Sequence, residues 1–137
     1  MDKNDPSSTI LIVEDEPAIR EICRRVLTRE GYTLDFAEDG RQAQELITAN
    51  DYALFLVDMR TPIIDGQELY VWLLQEKPHL ANRVIFTTGD LMGGQVLHFI
   101  SNSGKPFLPK PFTGSELKNL VEKTLTALKE DTDRTTD

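Results

Sequence analysis

The sequence predicts an α/β fold, a doubly wound five-stranded parallel sheet with helices on both faces. Three observations predict it. Short β-branched, apolar runs alternate with helix-period segments along the whole body of the chain. Right-handed crossovers between such units leave few topologies, all with a parallel sheet. Finally, 137 residues with 39% hydrophobic and 28% charged side chains suit one compact domain. That domain is placed at residues 8–129, between polar stretches at 1–7 and 130–137.

Each element has a local reason. Thr9 to Val13 is an apolar run read as a strand buried on both faces. Pro17 opens the first helix, where its missing N–H costs nothing. Ile19, Ile22, Cys23, Val26 and Leu27 recur at helical spacing, and Gly31 supplies the stop. Tyr32 to Phe36 reads as the second strand, and Asp39 to Ala49 as the second helix with Ala43, Leu46 and Ile47 inward. Tyr52 to Val57 is the most apolar run and reads as the central strand. Gly66 to Glu76 forms the third helix, closed by Pro78. Arg83 to Thr87 is the fourth strand. A weaker helix follows around Gln95 to Asn102, its start loosened by Gly93 and Gly94. Phe107 and Leu108 make a short fifth strand between Pro106 and Pro109, which belongs at a sheet edge because proline cannot donate to a ladder. Thr113 and Glu116 form a capping-box pattern ahead of the last helix, which buries Leu117, Leu120, Val121, Leu125 and Leu128.

Composition excludes several functions. There are 23 acidic against 15 basic residues, a formal net charge of −8. Direct nucleic-acid binding needs a Lys/Arg stripe that this chain lacks. No apolar run reaches the ~18 residues of a membrane span, and the polar residues at the start do not read as a secretory signal. The single Cys23 excludes an internal disulfide and is read as a packing residue. The expected setting is the cytoplasm.

Open sheets of this class place their site beyond the carboxyl ends of the strands. Those ends carry Glu14, Asp15 and Glu16 after strand one, and Asp58 after strand three. Thr87, Thr88 and Gly89 follow strand four, and Lys110 strand five. Carboxylates packed together repel unless a cation intervenes, and a set of acidic oxygens without Cys or His favours Mg²⁺. A carboxylate beside Mg²⁺ can also act as a nucleophile toward a phosphoryl group.

The runs Ile10-Leu11-Ile12-Val13-Glu14-Asp15-Glu16-Pro17, Leu56-Val57-Asp58-Met59-Arg60-Thr61-Pro62-Ile63-Ile64-Asp65-Gly66, Val84-Ile85-Phe86-Thr87-Thr88-Gly89 and Pro109-Lys110-Pro111-Phe112 together resemble the receiver domain of two-component response regulators. The resemblance covers about residues 9–128. It implies the flavodoxin-like strand order 2-1-3-4-5 and a switch that accepts a phosphoryl group from a phosphohistidine donor in a Mg²⁺-dependent reaction. By position, Asp58 is the implied phosphoacceptor. Asp15 is the implied direct Mg²⁺ ligand, Glu14 acts through water, and the backbone carbonyl of Arg60 completes the protein ligands with Asp58. Thr88 is the implied switch hydroxyl and Lys110 the phosphoryl-pairing lysine, with a cis Lys110–Pro111 bond. Phe107 takes the place of the switch aromatic, without the hydroxyl of the common Tyr. Implied partners are a histidine kinase or histidine phosphotransfer protein, and a downstream protein or an attached kinase domain. A homodimer is compatible with the sequence. The chain reads either as a stand-alone regulator or as the receiver of a hybrid kinase.

Other readings are weaker. A phosphatase of the haloacid dehalogenase type wants an Asp two residues past its nucleophile, where this chain has Arg60. A nucleotide-binding domain wants a glycine-rich first loop, where this chain has Glu14-Asp15-Glu16-Pro17. Glu16, beside Pro17, reads as the cap of the first helix. His79, in a loop, and His98 read as surface residues. Leu69 and Leu73 send Val71 and Trp72 to the outer side of the third helix, a hint of a contact surface. Arg60 and Asp90, two residues past Asp58 and Thr88, carry opposite charges and suggest an ion pair across the mouth of the site.

Overall fold

The computed structural model describes residues 9–89 and 94–135. The polar stretch 1–7, Asp90 and Gly93 lie outside these residues. Five strands form one parallel sheet: β1 (Thr9–Val13), β2 (Thr33–Ala37), β3 (Leu54–Asp58), β4 (Val84–Thr88) and β5 (Phe107–Pro109). Their order is β2-β1-β3-β4-β5, the order expected, with β3 at the centre. β5 sits at the edge, where its flanking prolines withhold no needed donor. Five helices alternate with the strands: α1 (Pro17–Arg29), α2 (Gly40–Ala49), α3 (Gly66–Glu76), α4 (Gly94–Ser103) and α5 (Gly114–Thr135).

Alternation along the strands divides the core. Ile10, Ile12, Leu54, Leu56, Ile85 and Leu108 face α1 and α5, where Cys23, Leu27, Leu117 and Val121 meet them. Leu11, Val13, Phe55, Val57 and Phe86 face α2, α3 and α4, with Ala43, Ile47, Leu69, Leu73 and Ile100 opposite. The first face is almost wholly aliphatic. The second holds a three-ring cluster in which Tyr70, Phe86 and Phe99 meet edge to face, at centroid distances of 5.5–5.9 Å.

Caps fix where helices begin and end. Gly31 takes φ 98° and closes α1, its N–H on Thr28 and that of Tyr32 on Leu27, a Schellman arrangement. Asp65 and Glu68 close a capping box on α3. Thr113 and Glu116 do the same ahead of α5, with mutual bonds of 2.9 and 3.1 Å.

Besides one-residue shifts at the ends of β2 and β4, four details differ from the sequence reading. β3 starts at Leu54, because Tyr52 turns its hydroxyl onto Asp35 of β2 at 2.7 Å. His79 lies in a 3₁₀ helix, Pro78–Arg83, rather than a loop. Trp72 is half-buried and packs on the aromatic face, so the outer side of α3 is made by Val71 and Leu74. α5 runs through the acidic end to Thr135, since an established helix gains a hydrogen bond per added residue without needing burial.

Candidate functional site

The site forms where β1, β3, β4 and β5 end together. Glu14 follows β1, Asp58 closes β3, Thr88 closes β4 and Lys110 follows β5. Parallel register brings these positions together in one-residue steps: Asp58 pairs with Thr87, and Thr88 with Pro109. Glu14, Asp58 and Thr88 are 2%, 3% and 0% exposed, an unusual depth for two carboxylates.

Lys110 is the hub. Its ammonium lies 2.8 Å from Glu14 Oε1, 3.0 Å from Glu16 Oε1 and 3.2 Å from Asp58 Oδ2. Its backbone N–H donates to the Thr88 carbonyl at 3.0 Å, tying the end of β5 to β4. The Lys110–Pro111 bond is cis. Burial works against the charge on Lys110, but hydrogen bonds to Glu14 and Glu16 and the charges of Asp58 and Glu14 hold its pKa above the ordinary lysine value. Burial pushes the Glu14 carboxyl the other way, up to about 7. Its bond to Lys110 opposes that rise and the charge of Asp58 adds to it.

The two buried carboxylates are held from both sides. Asp58 Oδ1 accepts from the Arg60 N–H at 3.2 Å, so its two oxygens face two separate donors. Glu14 Oε2 accepts from the Glu16 N–H at 3.2 Å, and the Glu14 carbonyl accepts from Arg20 at 2.9 Å. Arg20 was not legible as a site residue. It is one of several basic residues along α1, and only the turn of the chain aims it back.

The loop from Met59 to Asp65 is shaped by close approach. A Cβ on Gly66 would stand 2.8 Å from Met59 Cα and 2.9 Å from the Asp58 carbonyl. A Cβ on Gly40 would stand 2.1 Å from the Ile64 carbonyl. Buried Thr61 donates to that same Ile64 carbonyl at 3.1 Å. Ile63 takes φ 69° and is 66% exposed, a strained conformation for a β-branched residue.

The sequence placed Glu14, Asp58, Thr88 and Lys110 at one sheet edge, and the structure brings them there. Two assignments differ. Glu16 occupies the cap position of α1 but makes no side-chain cap bond, because its carboxylate reaches Lys110 instead. The carboxylates that gather within 4.8 Å of one another are Glu14, Glu16 and Asp58, while Asp15 is exposed and outside that group. Arg60 meets Asp58 through its N–H. Its expected partner Asp90 lies outside the described residues. Phe107 stands opposite Phe86 across β4 and β5 and packs on the aromatic face, away from the charged cluster. The donor set suits Mg²⁺, since it offers hard carboxylate oxygens on a converging edge and no soft ligand.

Residues 10–122 match the response regulator receiver domain family. Response regulator MprA of Mycolicibacterium vanbaalenii is 34% identical over 108 residues, covering 79% of this chain and 46% of that protein. Transcriptional regulatory protein TcrA of Mycobacterium tuberculosis is 32% identical over 111 residues, covering 79% and 42%. The chain thus spans under half the length of these relatives. Among solved structures, the receiver domain of a signal transduction histidine kinase from Syntrophus aciditrophicus is similar at a TM-score of 0.80 and 29% identity, over 89% of this chain and 92% of that one. The receiver domain of sensor histidine kinase PA1611 from Pseudomonas aeruginosa, solved with magnesium in its active-site cleft, is similar at 0.76 and 26%, over 87% and 98%. The chain belongs to the receiver domain family of two-component response regulators, and it is a phosphoacceptor switch domain with the flavodoxin-like fold.

Proposed function

We propose that Asp58 is the residue of this receiver that accepts the phosphoryl group, from a phosphohistidine on a histidine kinase or histidine phosphotransfer protein. The observation that carries the reading is the pair of donors on its carboxylate, Lys110 at 3.2 Å and the Arg60 N–H at 3.2 Å. In the transfer, an Asp58 oxygen forms the new bond to phosphorus. The P–N bond breaks, and the donor imidazole keeps the electron pair. Lys110 and the Arg60 N–H then lie beside the developing charge on the phosphoryl oxygens, and little reorganisation is needed.

Glu14 and Asp58, with the Arg60 carbonyl, would hold Mg²⁺, which offsets phosphoryl charge when bound, and Asp15, exposed beside them and outside the gathered group, would join them by turning inward. The rest belongs to the chain itself. Thr88, buried at the end of β4, is placed to turn its hydroxyl toward the modified Asp58. Phe107 follows by repacking against Phe86 and Phe99, and because it lacks a hydroxyl its new position is held by ring contacts alone. The surface of α4, β5 and α5 changes with it and is read by a downstream protein, an attached kinase domain or a second copy. The same site supports self-phosphorylation by small donors and hydrolysis of its own acyl phosphate. The proposed setting is the cytoplasm; no described helix is long and apolar enough to cross a membrane.

The test is radiolabelling by acetyl phosphate or a phosphorylated kinase in the presence of Mg²⁺. Wild type takes label, Asp58→Asn takes none, and Lys110→Ala is slowed by at least about tenfold. Full labelling of Asp58→Asn refutes the assignment.

A further inference from the structure

We propose that Glu16 is a positioning residue that restrains phosphorylation of Asp58 by occupying Lys110 at the rim of the site. The inference rests on the reading of Asp58 as acceptor and Lys110 as its cation.

A lysine ammonium has three N–H donors. Here three carboxylates surround it, Glu14 at 2.8 Å, Glu16 at 3.0 Å and Asp58 at 3.2 Å. Lys110 can therefore meet a phosphoryl oxygen only when one carboxylate lets go. Glu14 is buried and held by the Glu16 N–H, and Asp58 is the group being modified. Glu16 is different: its side chain is 59% exposed, so water replaces Lys110 when it swings out. It is also free of the capping duty its position suggests, having no side-chain cap bond on α1. Its negative charge stands at the mouth, where an anionic donor must enter. Releasing Glu16 is the least costly way to free Lys110, and an un-ionisable side chain there removes the step.

The experiment measures phosphorylation by acetyl phosphate at fixed Mg²⁺, in which Asp58 gains the phosphoryl group and acetate leaves with the electron pair of the broken P–O bond. Glu16→Gln is compared with wild type, and with Glu21→Gln as a surface-charge control. Glu16→Gln should react about fivefold faster, the scale of one exposed ion pair, and should bind beryllofluoride more tightly by calorimetry. The gap should narrow near 1 M salt, where screening acts over ~3 Å. Thermal melting of Glu16→Gln should stay within about 5 °C of wild type, since an exposed pair adds little stability and the residue supports no cap. Equal rates and equal beryllofluoride affinities for Glu16→Gln and wild type overturn the proposal, as does a gain shared by Glu21→Gln. Label persisting in Asp58→Asn instead overturns the acceptor reading, so the two failures are distinct.

Discussion

The two faces of the sheet are built differently. Under α1 and α5 the core is mainly aliphatic, and α1 buries Cys23 and Leu27, and α5 Leu117 and Val121, against Ile10, Ile12, Leu54 and Leu56. Under α2, α3 and α4 the core adds a cluster of rings to its aliphatic side chains, and α4 buries only Ile100, with Phe99 half-buried between Tyr70 and Phe86. Branched aliphatic side chains interdigitate in few arrangements. Each edge-to-face ring pair contributes about 0.5–1.5 kcal/mol beyond its buried area. The aliphatic face thus serves as the frame that fixes Glu14 and Lys110. On the proposed switch mechanism, the face that carries Phe107 is the one that repacks when Asp58 is modified.

Cys23 gives the largest expected contrast, because it lies in the aliphatic face. Burial pushes its thiol up to about 12 from an ordinary 9.0, with the charge of Glu14 adding to the rise. A raised pKa means that the folded chain holds the proton more tightly. The contribution of the thiol to stability is whole below pH 9 and falls as pH climbs toward 12. At pH 8 the folded thiol should alkylate about 1000-fold more slowly than in the unfolded chain. Rapid native-state alkylation would show that this face opens easily.

Truncation compares the faces next. Leu54→Ala should cost about 2–5 kcal/mol in denaturant unfolding, the range for a fully buried leucine. Phe99→Ala, at a half-buried ring, should cost about 1–2 kcal/mol. Equal costs would mean that α4 is held as firmly as α1. A smaller effect is expected from Tyr52→Phe, which removes the hydroxyl bonded to Asp35: about 1 kcal/mol. Burial, and then the bond to Asp35, raise the Tyr52 pKa above its ordinary 10.0. Its stabilising share therefore persists below pH 10 and is lost as pH rises beyond. Tyr52→Phe should flatten that alkaline fall, and an unchanged slope would place the loss elsewhere.

Much of this was legible in the sequence, for a physical reason. Strand runs such as Leu54 to Val57 and helix stripes such as Cys23 and Leu27 record burial directly in residue type. Asp58 and Lys110 are polar residues ending apolar runs, so the parallel direction of the strands sends them to one edge. Glu16 does sit at the cap of α1, as an acid before Pro17 suggests, but its role toward Lys110 is hidden in the sequence. Its partner lies 94 residues away, and no local pattern carries that. Ile63 is hidden for the opposite reason. Its left-handed backbone is set by the packing of Gly40, Thr61 and Ile64 around it, and a β-branched residue argues against such a conformation. Arg20 belongs with Glu16, recognisable only once the turn from β1 into α1 is closed.

The most direct measurement locates the phosphoryl group. After treatment with acetyl phosphate and Mg²⁺, borohydride reduces an aspartyl phosphate to homoserine, and peptide mass spectrometry reads the position. Reduction confined to residue 58, and absent when donor is omitted, is the predicted result. Homoserine at residue 15 or 65, with residue 58 still aspartate, would contradict it.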